Sequence, residues 1–200
     1  MIEEAPYHHG RLRSAVLAAA ERTLATSGVD GLSLRQLAKD VGVSHAAPRY
    51  HFKDKQALLD ALAIEGFSRL SQAIADAADP ALPLRPRTEA MVHAYVRFAT
   101  ANQELYSVML SSKHHPQASE SLQQAAATGM QAAVALIADG QHQGVFRPGD
   151  PYTLALATSA HIHGMATLLS WDTFAGQPTE DLETTSFNLV WSGLATNPQP

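Results

Sequence analysis

The fold is decided by the stretch Ala38-Lys39-Asp40-Val41-Gly42-Val43-Ser44. Two short helices joined by a turn at a glycine form a helix-turn-helix, whose second helix can lie in the major groove of DNA. Ala38 is small enough for two helices to cross closely, and Gly42 can adopt the positive φ that such a turn requires. Ser44 would place its hydroxyl and a helix N-terminus near the phosphate backbone. The stretch therefore predicts a helix-turn-helix.

The helix before the turn carries several start signals. Ser33 is a candidate N-cap, and Gln36 three residues later completes a capping box. Leu32 and Leu37 occupy the two positions of a hydrophobic staple. We therefore expect the second helix of the chain to begin after Ser33 and to end at Gly42.

The helix after the turn is predicted to be short. Ser44 would cap it, and it would run through Tyr50. Pro48 lacks the backbone N–H of a normal helical residue and biases Ala47 away from the α conformation. We therefore expect a short helix that is distorted at its start.

Two longer helices flank these elements. A first helix is expected from about Gly10 to Thr26, ended by Gly28. Asp54 would cap a fourth helix from Lys55 to about residue 78. Its predicted buried face consists of Leu58, Leu62, Leu70 and Ile74.

The rest of the chain is predicted to be helical as well. Residues 79–86 form a proline-rich linker, and further breaks fall at Pro116, at residues 144–151 and at residues 176–178. Helices are expected at about 87–101, 103–111, 117–142, 151–174 and 180–195. Since no useful stretch alternates apolar and polar residues, we predict an all-α fold. Its three-helix head is joined by a long helix to a helical body.

Charge is distributed unevenly, although the net formal charge is −5. Residues 1–55 hold eight basic and six acidic residues, and residues 56–200 hold six basic and thirteen acidic residues. A basic head on an acidic body is expected when only one end of a protein meets DNA. The predicted domains are therefore a DNA-binding domain at 1–54 and a ligand-binding and dimerisation domain at 55–200.

The head resembles the TetR family of transcriptional regulators. The resembling residues lie in four runs: His8-His9-Gly10-x-Leu12-Arg13, Leu34-Arg35-x-Leu37-Ala38, Gly42-Val43-Ser44-His45-Ala46-Ala47-Pro48 and Tyr50-His51-Phe52-x-x-Lys55-x-x-Leu58-Leu59. The resemblance implies a cytoplasmic dimer that represses transcription, binds a near-palindromic double-stranded operator and is released by a small molecule.

The resemblance also implies which residues contact DNA. Backbone contacts are expected from Ser33, Arg35, Ser44 and Lys55, and base contacts from His45, Ala46 and Ala47, whose alanines can meet thymine methyl groups. Further contacts divide among Arg49, Tyr50 and His51. The family usually has a tyrosine where this chain has Arg49. Either Arg49 or Tyr50 can therefore make the phosphate contact.

Core packing is the competing interpretation for the aromatic residues of this stretch. Phe52 is better explained as a core residue that anchors the third helix to the first. For Tyr50 the core and DNA-contact interpretations stay equally open.

The body resembles a C-terminal domain of one TetR branch, in which a tryptophan often precedes a His-Gly pair. His163-Gly164 is present, while Thr158–Ile162 before it contains no tryptophan. An unknown small apolar or amphipathic ligand is expected among Met91, Tyr95, Phe98, Tyr106, Met109, Met130, Val134, His161, Met165 and Leu168. Ordinary core packing is the alternative for these residues. The resemblance implies that a homodimer forms through about residues 151–195 as a four-helix bundle.

Several classes of function are disfavoured. The chain has no cysteine, which removes disulfides, thiol catalysis and cysteine-bound zinc and fits a reducing compartment. Its first residues lack the apolar segment of a signal peptide, and no apolar run is long enough to span a membrane. We expect a cytoplasmic protein with no membrane partner, cofactor, metal or catalytic residue.

Three rival functions remain. Ten histidines suggest a metal-dependent enzyme, although adjacent pairs and His161-x-His163 are poorly spaced for shared coordination on a helix. An interaction module that has lost DNA binding is a second rival, and a transcriptional activator with the same fold is a third.

Overall fold

The computed structural model describes residues 7–170 and 179–196 and, of residues 7–10 and 179–180, the backbone alone. The described helices are α1 (Tyr7–Ser27), α2 (Leu34–Asp40), α3 (Lys55–Ala77), α4 (Leu84–Ala101), α5 (Gln103–Lys113), α6 (Glu120–His142), α7 (Pro151–Ser170) and α8 (Thr179–Leu194). Short 3-10 helices occur at Val29–Gly31 and Ala47–Tyr50. The all-α prediction is confirmed.

The chain divides into two units. The first lies within Met1–Gly66 and Glu104–Gln123, and the second within Phe67–Gln103 and Gln124–Pro200. In the first unit α1 packs against α2 and against both 3-10 helices, while in the second unit α4, α7 and α8 pack against one another. The predicted functional boundary after residue 54 stays a prediction.

Helix α1 supplies much of the apolar core of the first unit. Val16, Ala20 and Leu24 are buried on one face of α1. The helix begins at Tyr7, three residues before the predicted start, and runs through Ser27. Gly28 follows with φ +62° and donates its N–H to the carbonyl of Leu24, so this glycine ends the helix as expected.

The predicted capping box of α2 is not formed. Ser33 occupies the N-cap position in an extended conformation, but its side chain makes no capping hydrogen bond. The side-chain amide of Gln36 instead donates to Oδ1 of Asp40 at 2.7 Å. Asp40 lies one turn ahead of Gln36 on the same helix face, and its charged acceptor competes successfully for the amide. Leu32 and Leu37, the predicted staple, are both buried.

Asp54 caps α3 as predicted. Its Oδ1 accepts the backbone N–H of Ala57 at 2.8 Å, which satisfies one of the free donors in the first turn. The predicted face is buried at Leu58, Leu62 and Leu70, whereas Ile74 near the end of the helix is only half-buried.

The predicted linker ends earlier than expected. Helix α4 begins at Leu84, so the linker stops at Pro83, and Pro86 lies in the first turn of the helix. A proline is tolerated there because the first-turn N–H groups have no partner within the helix. The predicted break at 176–178 and the end of the helix predicted at 151–174 lie outside the described residues.

Backbone and side-chain hydrogen bonds fix the start of α7 and the end of α8 in the second unit. Oδ2 of Asp150 accepts the N–H of Thr153 at 2.9 Å and its hydroxyl at 2.6 Å. These hydrogen bonds, the hydroxyl's above all, lower the pKa of Asp150. Because the pKa is lowered, the cap contributes stability at neutral pH and loses it as the pH falls through that pKa. After α8, an isolated antiparallel bridge pairs Phe146 with Ala195.

Gly42 offers a test of why the turn needs glycine. Its φ is +73°, and an added Cβ would meet nothing within 4 Å. We therefore expect Gly42→Ala to lower the free energy of unfolding by about 1–2 kcal/mol through backbone strain alone. The matched control is Gly129→Ala on α6, where a Cβ also meets nothing and φ is not positive. Gly129→Ala should instead raise the free energy of unfolding by about 0.5–1 kcal/mol. If urea unfolding shows that both substitutions change this free energy in the same direction, the explanation is refuted.

Candidate nucleic-acid interface

The turn after α2 is closed by two backbone hydrogen bonds. The N–H of Val43 donates to the carbonyl of Ala38 at 2.9 Å, and that of Gly42 donates to Lys39 at 3.1 Å. With Gly42 in the left-handed region, this pattern is a Schellman motif. Ala38 is fully buried, so its small side chain allows the close approach that was predicted. The motif sets the direction in which the chain leaves α2.

The segment after the turn is a 3-10 helix, where the sequence predicted a helix capped by Ser44. The helix comprises Ala47–Tyr50. The N–H of Ala47 donates to the carbonyl of Ser44 at 3.0 Å, and that of Arg49 donates to Ala46 at 3.1 Å. Pro48 is buried and has no N–H to donate, so the segment closes through the tighter three-residue hydrogen bonds. Ser44 contributes its carbonyl to this segment.

The tip formed by residues 44–50 presents side chains to solvent. Ser44, His45, Ala46 and Arg49 are exposed, and Ala47 is half-buried. Tyr50 is 86% exposed, which rules out the core interpretation for this residue. Arg49 and Tyr50 are both accessible, so exposure does not distinguish them as phosphate contacts.

Phe52 is a core residue. It is 1% exposed, and the guanidinium carbon of Arg13 lies 5.7 Å from the centre of its ring. His51, between Tyr50 and Phe52, is half-buried. The chain therefore changes from solvent-facing to core-facing over three residues, and this change ends the exposed tip.

The remaining predicted DNA contacts flank the tip. Ser33 and Arg35 at the start of α2 are exposed, and Lys55, the first residue of α3, is half-buried. The Ser33 hydroxyl makes no cap bond, which leaves it available to an external acceptor. All ten predicted contact residues thus belong to the first unit, and their contact with DNA stays a prediction.

The predicted ligand residues are distributed over both units. Tyr106 and Met109 are buried on α5 in the first unit, where Met109 packs beside Gly66. The other eight lie in the second unit: Met91, Tyr95 and Phe98 on α4, Met130 and Val134 on α6, and His161, Met165 and Leu168 on α7. Phe98 and Met165 are buried, whereas Leu168 and His161 are exposed.

Two histidines of α7 make hydrogen bonds across the second unit. Nε2 of His161 lies 2.6 Å from Oγ of Ser186 on α8, and Nδ1 of His163 lies 3.2 Å from the hydroxyl of Tyr95 on α4. His161 and Met165 border a cavity of only about 10 Å³, room for about one water molecule. Ser186 was not predicted, because a serine among the polar residues of α8 carries no distinguishing sequence signal.

The described part of the chain offers neither a metal-binding cluster nor a membrane-spanning helix. No group of three or more histidine, aspartate or glutamate side chains is placed to hold a metal ion. None of the described helices combines the length and the apolar character needed to cross a membrane.

Two protein-family models match the chain. Residues 16–62 match a family described as "Bacterial regulatory proteins, tetR family". Residues 88–192 match one described as "Tetracyclin repressor-like, C-terminal domain". The two matches together include α2, α5, α6 and α7 and part of α1, α3, α4 and α8.

Individual relatives match over different lengths. The class D tetracycline repressor protein of Escherichia coli is 44% identical over 57 residues, 28% of this chain and 26% of that protein. The HTH-type transcriptional repressor AcnR of Corynebacterium diphtheriae is 38% identical over 64 residues, 32% of this chain and 34% of that protein. The chain thus spans only about a quarter to a third of these curated relatives.

One solved structure is similar along nearly the whole chain. It is a protein of unknown function from Rhodococcus sp. RHA1, which is 46% identical with a TM-score of 0.87. The match covers 96% of this chain and 100% of that one. The fold is therefore shared with this protein along nearly the whole chain.

Proposed function

The chain belongs to the TetR family of transcriptional regulators, and from this premise we propose that it is a dimeric repressor released from its operator by a small molecule. Its partners would be a near-palindromic duplex and a small apolar or amphipathic ligand. We further propose that it acts in the cytoplasm and carries out no catalysis. Members of the family named above, the class D tetracycline repressor and AcnR, are repressors by name.

The observation that carries DNA binding is the exposed tip. A Schellman turn and a 3-10 helix hold Ser44, His45, Ala46, Arg49 and Tyr50 toward solvent. Hydroxyl, imidazole and guanidinium groups suit phosphates and base edges, and an exposed methyl group suits the thymine methyl. Because the Tyr50 side chain is exposed, core packing does not account for a tyrosine at this position, whereas a contact with DNA does.

An apolar surface supports the dimer. Tyr152, Leu156 and Leu168 on α7 and Leu189 on α8 are exposed large apolar side chains, with Leu189 at 66%. Single exposed leucines are common, but four on the last two helices favour an interface. We propose that residues of about 151–195 pair with the same residues of a second copy, because twofold dimers bury one self-complementary surface.

Selection of bound fragments from random duplex DNA tests the proposal. We expect two inverted half-sites whose centres lie about 10–10.5 base pairs apart, or a multiple of that spacing. A selected pool without any enriched sequence would contradict operator binding. Enrichment of a single asymmetric site would contradict the dimeric arrangement alone.

Lys55→Ala is expected to weaken binding to every duplex alike. A lysine that contacts phosphate adds affinity without reading sequence, so its loss should cost about tenfold per head near 0.1 M salt and lower the salt slope by about one per head, about two for the dimer. Fluorescence anisotropy with selected and scrambled duplexes measures both quantities. The matched control is Arg97→Ala, which removes an exposed positive charge from α4. A changed base preference at unchanged affinity would contradict the assigned role.

The effector is proposed to bind the second unit, near the predicted side chains on α4, α6 and α7. Thermal-shift screening of the intact protein would identify candidate compounds. Coupling between two binding sites is reciprocal. An effector that lowers the protein's affinity for operator by a given factor must therefore itself bind the operator-bound protein more weakly by the same factor. A compound that binds the free and DNA-bound protein equally is not an effector.

A further inference from the structure

The first unit contains a cavity of about 240 Å³ to which the proposed function assigns no role, although His51 on its lining is also a proposed DNA contact. It lies among α1, the segment after the 3-10 helix at 47–50, the first part of α3, the segment before α6 and the first turn of α6. Its lining includes the cations Arg13 and Lys53, the carboxylates Asp54 and Asp60, and the apolar side chains Phe52 and Ala61. Every one of these residues belongs to the first unit.

A buried carboxylate holds one wall of this cavity in place. Asp60 is only 6% exposed. Its Oδ1 accepts the side-chain amide of Gln56 at 2.8 Å, and its Oδ2 accepts the backbone N–H of Ser119 at 2.9 Å. Oγ of Ser119 in turn accepts the N–H of Leu122 and caps α6. The wall is thereby built from fixed hydrogen bonds between segments that are 59 residues apart in the chain.

The charges on the lining are unequally satisfied. Both carboxylates already accept hydrogen bonds from the chain, Asp60 as described and Asp54 from the N–H of Ala57. Among the described residues none of the four charged groups forms an ion pair, so Arg13 and Lys53 have no carboxylate partner and, unlike the two carboxylates, take part in no hydrogen bond within that part of the chain. The cavity therefore offers two cationic groups that an incoming anion can engage.

The floor of the cavity is apolar. Phe52 and Ala61 are buried, and Ile64 is half-buried beside them on the lining. A volume of about 240 Å³ lies below the roughly 300–1,000 Å³ of pockets for drug-sized ligands. It suits a compact molecule with one ring or a short branched chain.

We propose that this cavity binds a small organic monocarboxylate with an apolar body. The carboxylate would lie toward Arg13 and Lys53, and the apolar body would cover Phe52, Ala61 and Ile64. Binding here involves neither the operator nor the second unit, so it stands independently of the proposed repressor function. A guanidinium and an ammonium beside an apolar floor favour this class over a neutral or cationic molecule.

Three probes that share one aromatic ring test the proposal with the DNA-free, full-length protein. Isothermal titration with benzoate, benzamide and benzylamine compares an anion, a neutral amide and a cation on the same ring. Since a charge-assisted hydrogen bond contributes about 1.5–3 kcal/mol, benzoate should bind at least about tenfold more tightly than benzamide. Benzylamine should bind no better than benzamide. Three results would overturn the proposal: equal binding of benzoate and benzamide, a preference for benzylamine, or no binding of benzoate up to about 10 mM. The concentration limit is of the order of the dissociation constant expected for so small a ligand.

Variants locate the binding in the cavity. Arg13→Gln should bring the affinity for benzoate close to that for benzamide, and Ala61→Leu should abolish binding of both by filling the space. The matched controls are Arg22→Gln and Ala18→Leu, at exposed α1 positions outside the lining. Because Arg13 is exposed, its variant keeps the test valid if Ala61→Leu fails to fold. Benzoate binding that is unchanged by Arg13→Gln would place the ligand elsewhere and refute the assignment.

Discussion

Raising the monovalent salt concentration from 50 to 200 mM is expected to weaken operator binding on the order of a thousandfold. A DNA-binding protein with six to ten phosphate contacts loses about 10³–10⁵ in affinity over this range, because bound phosphates release their counterions. Three of the predicted contact residues in each head are cationic, Arg35, Arg49 and Lys55, and a dimer carries two heads, so six positive charges would meet phosphates. The net charge of −5 would by itself repel DNA, so the salt dependence reports the local basic surface.

Anisotropy titrations with the selected operator at four or more salt concentrations measure this dependence. The slope of log affinity against log salt should be strongly negative for wild type and shallower for Lys55→Ala, with Arg97→Ala unchanged. A flat response between 50 and 200 mM would remove the electrostatic basis of the interface.

Phe52→Ala is expected to lower the free energy of unfolding by about 3–5 kcal/mol and to abolish operator binding with it. The ring is 1% exposed, and its removal leaves a large cavity beneath the tip. Tyr50→Ala is the matched comparison, because that ring is 86% exposed two residues earlier. We expect Tyr50→Ala to change stability by less than about 0.5 kcal/mol and still to weaken DNA binding.

Urea unfolding followed by circular dichroism, combined with operator titration, separates the two effects. Phe52→Ala should lose stability and binding together, and Tyr50→Ala should lose binding alone. A large loss of stability in Tyr50→Ala, or a stable Phe52→Ala protein that still binds its operator, would contradict the assigned environments.

The helices were predictable because their signals are local. Apolar residues at helical spacing, the Asp54 cap and the glycines at 28 and 42 all act within a few residues of the boundaries they set. The predicted end of the linker was wrong by three residues, because a proline can either end a helix or lie in the first turn of one. Pro83 precedes α4, whereas Pro86 lies in its first turn. The sequence alone does not show which of these two positions a proline takes.

Local competition explains the two errors near the turn. The capping box failed because Asp40 offers Gln36 a charged acceptor one turn away. The helix predicted after Ser44 is short, ends at Tyr50 and is distorted by Pro48 as expected, but it is a 3-10 helix that begins only at Ala47, because Pro48 has no N–H and is buried at its start. Both outcomes depend on small energy differences between alternative hydrogen bonds, which residue spacing does not reveal.

The tip residues could be proposed from sequence because a helix-turn-helix fixes which side chains leave the core. The cavity in the first unit could not. It depends on the bond from Ser119 to Asp60, which joins segments distant in sequence. Asp60 did carry a signal, as an acid between the buried Leu58 and Ala61, but its partner is visible only in three dimensions. The ligand residues remain a prediction, since apolar helix faces are alike in a core and in a pocket.

The measurement that tests the central claim most directly is a competition experiment on the purified protein. Its selected operator, a scrambled duplex of equal length and heparin compete for binding at fixed salt. If the tip at residues 44–50 reads a groove, the operator should be preferred over the scrambled duplex by at least about a thousandfold and should resist heparin. A protein that binds no duplex better than heparin would not be an operator-binding regulator.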